Sequence, residues 1–239
     1  MNTGSRRVVA TPPHAVAPAD RTPISTAQTV VDDIRPAVSP IELRRQQAVI
    51  DSGLLDTPRE SRFDIIVEMA RDLVGTPSAA FSLIDGYRSW RKSRIEVADQ
   101  EISRTHSLCS AALEYAAADD AAAAKGLIAF SAAANARRPP ARMLVVTDAR
   151  TDDRFSSNPN VLSRPGIVTY LGLPIRDANG ERIGVLCVFD IEPRIVTALT
   201  LVLLTELGAL LEVEVQRTVP RILQLTQSGT DAPRDAITG

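Results

Sequence analysis

One stretch leaves this chain few ways to fold: Val168 to Asp190, VTYLGLPIRDANGERIGVLCVFD. Two apolar runs, Tyr170 to Ile175 and Ile183 to Phe189, flank Asn179-Gly180, a dipeptide that favours the positive φ angles of a two-residue hairpin turn. The reading is a β-hairpin. Arms that are apolar over such lengths suit strands at the centre of a sheet covered on at least one face, better than an exposed ribbon. The core is expected to be built on them.

Upstream, residues 1 to 38 are rich in Pro, Ala, Thr and Val without periodicity and read as a disordered leader. Order is expected to begin at Ser39-Pro40-Ile41-Glu42, a capping box with proline at the first helical position, opening a helix that runs to about Ser52 and stops at Gly53. The same grammar at Thr57-Pro58-Arg59-Glu60 opens a second helix. Its Phe63, Ile66, Val67, Ala70, Leu73 and Val74 recur at helical spacing, so it should lie on the sheet and end at Gly75. Residues 78 to 85 form a buried strand, Asp85-Gly86 a turn, and residues 87 to 94 a more polar partner strand. Arg104 to Tyr115 can form one helix bearing His106 and Cys109 about a turn apart.

Residues 116 to 141 are an alanine-rich insertion that can extend this helix or form a mobile segment. Met143 to Thr147 is a short strand. A turn-rich segment from Asp148 holds a helical turn and stops at Asn158-Pro159. Thr197 to Arg217 is a last helix with little polar face: one side docks on the domain, and a second copy of the same helix is the simplest cover for the other, so a homodimer is expected. Residues 219 to 239 form a polar, disordered tail. By layer logic the domain, 39 to 218, is α+β, a central antiparallel sheet sandwiched by helices.

Composition narrows the function classes. A net charge of −2 gives no global electrostatic reason to expect nucleic acid or an anionic membrane as partner. Two cysteines and two histidines support neither a disulfide framework nor a zinc site, and a reducing cytoplasm is the simplest location. No secretory signal is evident. Ile195 to Leu211 is nearly all apolar, but Glu206 lies within it and Glu212 and Glu214 follow, which argues against a membrane span. The leader and tail are too short and too polar to fold as an output domain, so an unidentified signalling partner protein is expected. Phosphate-loop, serine-hydrolase and zincin motifs do not occur.

Five separated stretches carry a family resemblance: GLLDTPRESRFD (53 to 64), FSLIDGYRSWRKS (81 to 93), SLCSAAL (107 to 113), VTDARTDDRFSSNPNV (146 to 161) and YLGLPIRDANGERIGVLCVFDIEPR (170 to 194). Together and in this order, they resemble the GAF domain of bacterial sensor kinases, diguanylate cyclases and stand-alone regulators. Two departures stand out. Ser110 and Ala111 follow Cys109 where the family usually has a histidine, and the alanine-rich insertion has no counterpart.

The resemblance implies a sensory or regulatory module that holds a small molecule between one sheet face and the helices and loops over it, near Trp90, Cys109, Asp148, Phe155 and Tyr170. No catalytic residue, metal or cofactor is implied, and the small-molecule ligand is unidentified. Trp90 and Tyr170 also read as core aromatics, and Asp148, Asp152 and Asp153 as turn and capping residues. The cluster Arg88, Arg91, Lys92 and Arg94 reads as a solvated edge, with Arg91 on the opposite face from the others. Cys187 reads as packing in an apolar strand.

Cys109 could anchor a linear tetrapyrrole, but the usual histidine is missing. It could instead serve a thiol-dependent enzyme like the free methionine sulfoxide reductases, whose GVCG-like loop is absent. A ligand-free dimerisation scaffold is the remaining alternative.

Overall fold

In a computed structural model, the described residues are 38–124 and 143–218. Everything below belongs to the unit that runs from Ser39 onward. The expected leader up to residue 37, the insertion beyond Ala124 and the tail from residue 219 lie outside the described residues.

Helix α1, Pro40–Asp51, starts as its capping residues dictate: Ser39 Oγ accepts from the Glu42 amide at 3.2 Å. Glu42 does not close the box. Its carboxylate is held instead by Arg45 at 2.7 Å, Arg104 at 2.6 Å and Gln46 at 2.9 Å. Helix α2, Ser61–Val74, corrects the second capping box, because it begins at Ser61 behind Glu60, which makes no side-chain cap. The residues of that box have another task. Thr57 Oγ1, the Pro58 carbonyl and the Glu60 carboxylate all bind Lys92 Nζ, at 2.6, 2.6 and 2.8 Å.

Six strands follow in chain order: β1 (Ser78–Ile84), β2 (Arg88–Ile95), β3 (Glu101–Ser103), β4 (Leu144–Val146), β5 (Thr169–Arg176) and β6 (Arg182–Asp190). Their order in the sheet is β3-β2-β1-β6-β5-β4, antiparallel throughout. The β5–β6 hairpin therefore lies inside the sheet, as its apolar arms require. Its turn differs from the sequence expectation: Asp177 N–H bonds the Glu181 carbonyl at 3.0 Å, which closes a three-residue loop in which Gly180 alone takes positive φ, 91°. The Asp177 carboxylate anchors this loop by accepting from the amides of Asn179 and Glu181, at 2.9 and 2.8 Å. Strand β3 was not foreseen, since three residues are too few to display a period.

Alternation along the strands makes two layers of core. Leu83, Leu171, Leu186 and Val188 face α1, α2 and the last helix α5, Ala198–Gln216. Ala80, Ile84, Tyr170, Val185 and Cys187 face α3, Leu108–Ala124, and the loop containing the short helix α4, Pro159–Leu162. Helix α3 continues into the alanine-rich run as far as Ala124. It does not include His106, which sits exposed in a separate 3-10 turn, Arg104–His106, because Ser107 breaks the helical path. The helical turn expected after Asp148 is present, with the Ser156 amide bonding the Asp152 carbonyl, and ends before Asn158; the addition is α4, which Asn158 caps by accepting from the Asn160 amide and Pro159 opens.

The basic run on β2 is not a solvated edge. Strand β3 pairs with Arg88 to Trp90 at the start of β2, and the β1–β2 register jumps from Phe81↔Ser93 to Ser82↔Arg91, leaving Lys92 as an extra residue in a bulge. Lys92 is fully buried and carries its charge against Glu60. Arg88 is paired with Asp56, Asp85 and Glu101.

Helix α5 begins at its Thr197 cap, whose Oγ1 accepts from the Thr200 amide at 3.1 Å. Leu204, Leu207, Leu211 and Val215 are buried against the sheet, and Gly208 allows close approach, since a Cβ there would stand 2.2 Å from Leu173 Cδ2. Leu199, Val202, Leu203, Leu210 and Val213 on its outer side are exposed. Among the described residues no helix is long and apolar enough to cross a membrane.

Candidate functional site: a chamber beneath α3

On the α3 side, the alternation that fills the opposite face leaves a cavity of about 190 Å3. Its floor is Ser82 of β1, Arg91 of β2, Tyr170 of β5 and Cys187 of β6, and Cys109 reaches down from the first turn of α3. Its rim is loop, with exposed Asp99 on one side and exposed Ser163 and Pro165 on the other. Ligand pockets for drug-sized molecules run to roughly 300–1,000 Å3, so this chamber suits a smaller guest and is far too small for a linear tetrapyrrole.

The geometry around Cys109 follows from two neighbours. Gly172 lacks the Cβ that would fall 2.5 Å from Tyr170 Oη, so the tyrosine ring lies across the glycine and its hydroxyl donates to Cys109 Sγ at 3.3 Å. The Cys187 sulfur lies 3.5 Å from that of Cys109. The Cys187 thiol stabilises the Cys109 thiolate, and with the Tyr170 and Ser82 hydroxyls and the Arg91 charge it overcomes burial to bring Cys109 down to about 6. The same contact and burial push Cys187 well up, and burial does likewise to Tyr170. Cys109 is therefore the member of the trio that ionises, and the other two keep their protons and donate.

Two polar groups of the chamber are under-partnered. Ser82 Oγ is buried near the Cys109 sulfur and has no oxygen or nitrogen partner among the described residues. The Arg91 guanidinium bonds the Asp99 carbonyl at 2.6 Å, a neutral acceptor for a full charge. No group of three or more His, Cys, Asp or Glu side chains among the described residues could hold a metal ion.

The five residues singled out from the sequence do not share one cavity. Cys109 and Tyr170 line the chamber. Phe155 is buried in the same apolar cluster but behind the wall, with the Arg154 guanidinium 5.0 Å from its ring centre. Asp148 lies outside the cavity wall, where its carboxylate accepts from the Arg150 side chain at 2.6 and 2.9 Å and from the Arg150 amide at 3.1 Å. Trp90 is on the other face of the sheet, in the apolar cluster that holds Phe63, Phe81 and Ile66, because it is one residue out of phase with Arg91. Sequence reasoning missed Ser82 and Arg91, and it read Cys187 as packing alone. Strand alternation carries the missing signal, since Ser82 shares its face with Ala80 and Ile84, and Cys187 shares its face with Val185 and Phe189.

Comparison with known proteins adds the following. The family model described as GAF domain matches residues 58–215. A cyclic di-GMP phosphodiesterase of Pseudomonas aeruginosa is 31% identical over 156 residues, which is 65% of this chain but 22% of that protein. The chain thus spans less than a quarter of that relative. Among solved structures, the blue-light absorbing form of the PixJ GAF domain of Thermosynechococcus elongatus is 17% identical and covers 82% of this chain and 100% of its own, with a TM-score of 0.48. The type II free methionine-R-sulfoxide reductase of Thermoplasma acidophilum is 12% identical and covers 65% of this chain and 90% of its own, with a TM-score of 0.43.

Proposed function

The chain belongs to the GAF domain family, a family of signalling and sensory modules, and on that premise we propose that it is a regulatory binding module: a small molecule enters the chamber beneath α3, and its presence is reported to a partner protein through the terminal helices. The observation that carries this reading is the pair of polar groups in the chamber wall, Ser82 Oγ, whose one polar neighbour among the described residues is the Cys109 sulfur, and Arg91, whose guanidinium bonds one backbone carbonyl. A buried hydroxyl left unpaired costs ~1–3 kcal/mol, which a guest bearing a carbonyl or carboxylate would recover. The matched part of the Pseudomonas phosphodiesterase is a minor fraction of that enzyme. That proportion supports a regulatory rather than a catalytic part for this chain.

The route from chamber to helix α5 is covalent and short. Phe189 lines the chamber, and the next residue, Asp190, accepts from the Glu192 amide at 3.1 Å and from Arg194 Nε at 2.5 Å. Thr169 Oγ1, beside Tyr170 on β5, lies 2.9 Å from both the Glu192 carbonyl and the Arg194 amide. Displacement of Tyr170 or Phe189 by a guest therefore pulls on the segment that leads into the Thr197 cap. The exposed strip Leu199, Val202, Leu203, Leu210 and Val213 is the surface on which a second copy of the chain would pack, and the dimer is the natural reporter.

Native mass spectrometry of freshly purified chain tests both halves at once. A dimer carrying a copurified small molecule is the expected result. A monomer without added mass, together with unchanged hydrogen exchange in α5 on addition of metabolite extract, overturns the reading. A ligand-free dimer would point to a scaffold. Cys109→Ala separates binding from thiol catalysis, since a binding module keeps its affinity while a thiol enzyme loses turnover.

A further inference from the structure

We infer that Cys109 and Cys187 form a hydroperoxide-sensitive dithiol, in which a small peroxide entering the chamber is reduced at Cys109 and the pair then closes to an intramolecular disulfide. The geometry supports this independently of the chamber's ligand. The two sulfurs are 3.5 Å apart although their residues are 78 apart in sequence, one at the start of α3 and one in the interior strand β6. Both border the same cavity, so an oxidant of a few atoms reaches them without unfolding. Closing to the ~2.0 Å of a disulfide requires the two side chains to approach by little more than a bond length.

The groups around the pair suit the two steps. Cys109, which the Cys187 thiol, the Tyr170 hydroxyl and the Arg91 charge favour as thiolate, is the attacking sulfur. Its lone pair attacks one peroxide oxygen. A sulfur–oxygen bond forms, the oxygen–oxygen bond breaks, and the departing hydroxide or alkoxide takes up the proton that Cys109 had released to water. Cys187, which retains its proton, then attacks the sulfenic sulfur of Cys109. The sulfur–sulfur bond forms, the sulfur–oxygen bond breaks, and hydroxide leaves with the Cys187 proton as water. Two thiols are oxidised by two electrons in total, and the peroxide is reduced to two waters, or to water and an alcohol. The disulfide would pin the first turn of α3 to the sheet and narrow the chamber.

The test uses the full chain, reduced, desalted and treated with one equivalent of hydrogen peroxide, then denatured in N-ethylmaleimide for intact-mass and peptide analysis. Reduced protein should take two maleimides. Oxidised protein should take none, weigh two hydrogens less at monomer mass, yield a cross-linked peptide containing Cys109 and Cys187, and regain both thiols with dithiothreitol. In Cys187→Ser the reaction should halt at a sulfenic acid that dimedone traps on Cys109. In Cys109→Ser the remaining thiol should stay fully alkylatable. Two maleimides after peroxide, a disulfide between chains, or overoxidation of Cys109 in the unsubstituted protein without a cross-linked peptide would each overturn the proposal. The measurement on the unsubstituted chain decides even where a serine variant fails to fold.

Discussion

The two faces of the sheet are built from alternate residues of the same strands, yet they are finished to different standards. Beneath α1, α2 and α5 the described residues pack closely: Leu171, Leu186 and Val188 are fully buried, and even a fully buried cation, Lys92, has three oxygen partners. Beneath α3 the packing stops short, leaving a cavity, a hydroxyl without an oxygen or nitrogen partner among the described residues and two thiols in contact. One face holds the domain together, and the other is where chemistry can occur. Tyr170 and Leu171, consecutive on β5, mark the boundary.

Substitutions on either side of that boundary should separate in size. Leu171→Ala removes a fully buried side chain from the filled face and should cost ~3 kcal/mol, read as a lower denaturant midpoint at unchanged slope. A cost below ~1 kcal/mol would mean that this face is looser than its burial indicates. Lys92→Ala should follow at ~2–3 kcal/mol, because it strands the Pro58 carbonyl and empties the space beneath Phe63, while Arg62 still neutralises Glu60.

The next effect is a pH dependence of the filled face. Burial alone would raise the Glu42 carboxyl, but hydrogen bonds from Arg45, Arg104 and Gln46 outweigh it and hold the group at about 2, below its ordinary 4.5. The stabilisation is complete above pH 4.5 and is lost as pH falls from there through 2. After allowance for solvent screening it amounts to ~1–2 kcal/mol, and Glu42→Gln should flatten that part of the stability profile.

The smallest stability effect should come from Tyr170→Phe on the chamber face, at under ~1 kcal/mol, since only one hydrogen bond to sulfur is lost. Its signature lies elsewhere. With one donor to Cys109 gone, the pH at which that thiol becomes half-reactive toward iodoacetamide should rise from about 6. An unchanged profile would sever Tyr170 from the thiol's chemistry.

The filled face was the more legible of the two in the sequence. Helical spacing from Phe63 to Val74, the Ser39 cap and the apolar arms of the hairpin each encode local geometry that survives into the fold. The chamber face was harder to read because its members meet through register, which a sequence does not print. The bulge at Lys92 resets the phase of β2 after Arg91 and helps to turn an apparently exposed basic run into a buried Lys92–Glu60 pair and an Arg88 held by three carboxylates. Glu60 and Thr57 looked like a helix cap because the residue types that cap helices also bind ammonium groups. Cys109 and Tyr170 were reached through family resemblance, whereas alternation gives only the face of Cys187, and its place beside Gly172 comes from the β5–β6 register.

Gly208 leaves no slack between α5 and β5, because the nearest side-chain carbon of Leu173 occupies the place where any larger residue would begin. A shift of Leu173 therefore presses on the helix backbone at Gly208, two residues from Leu210 on the exposed side of α5.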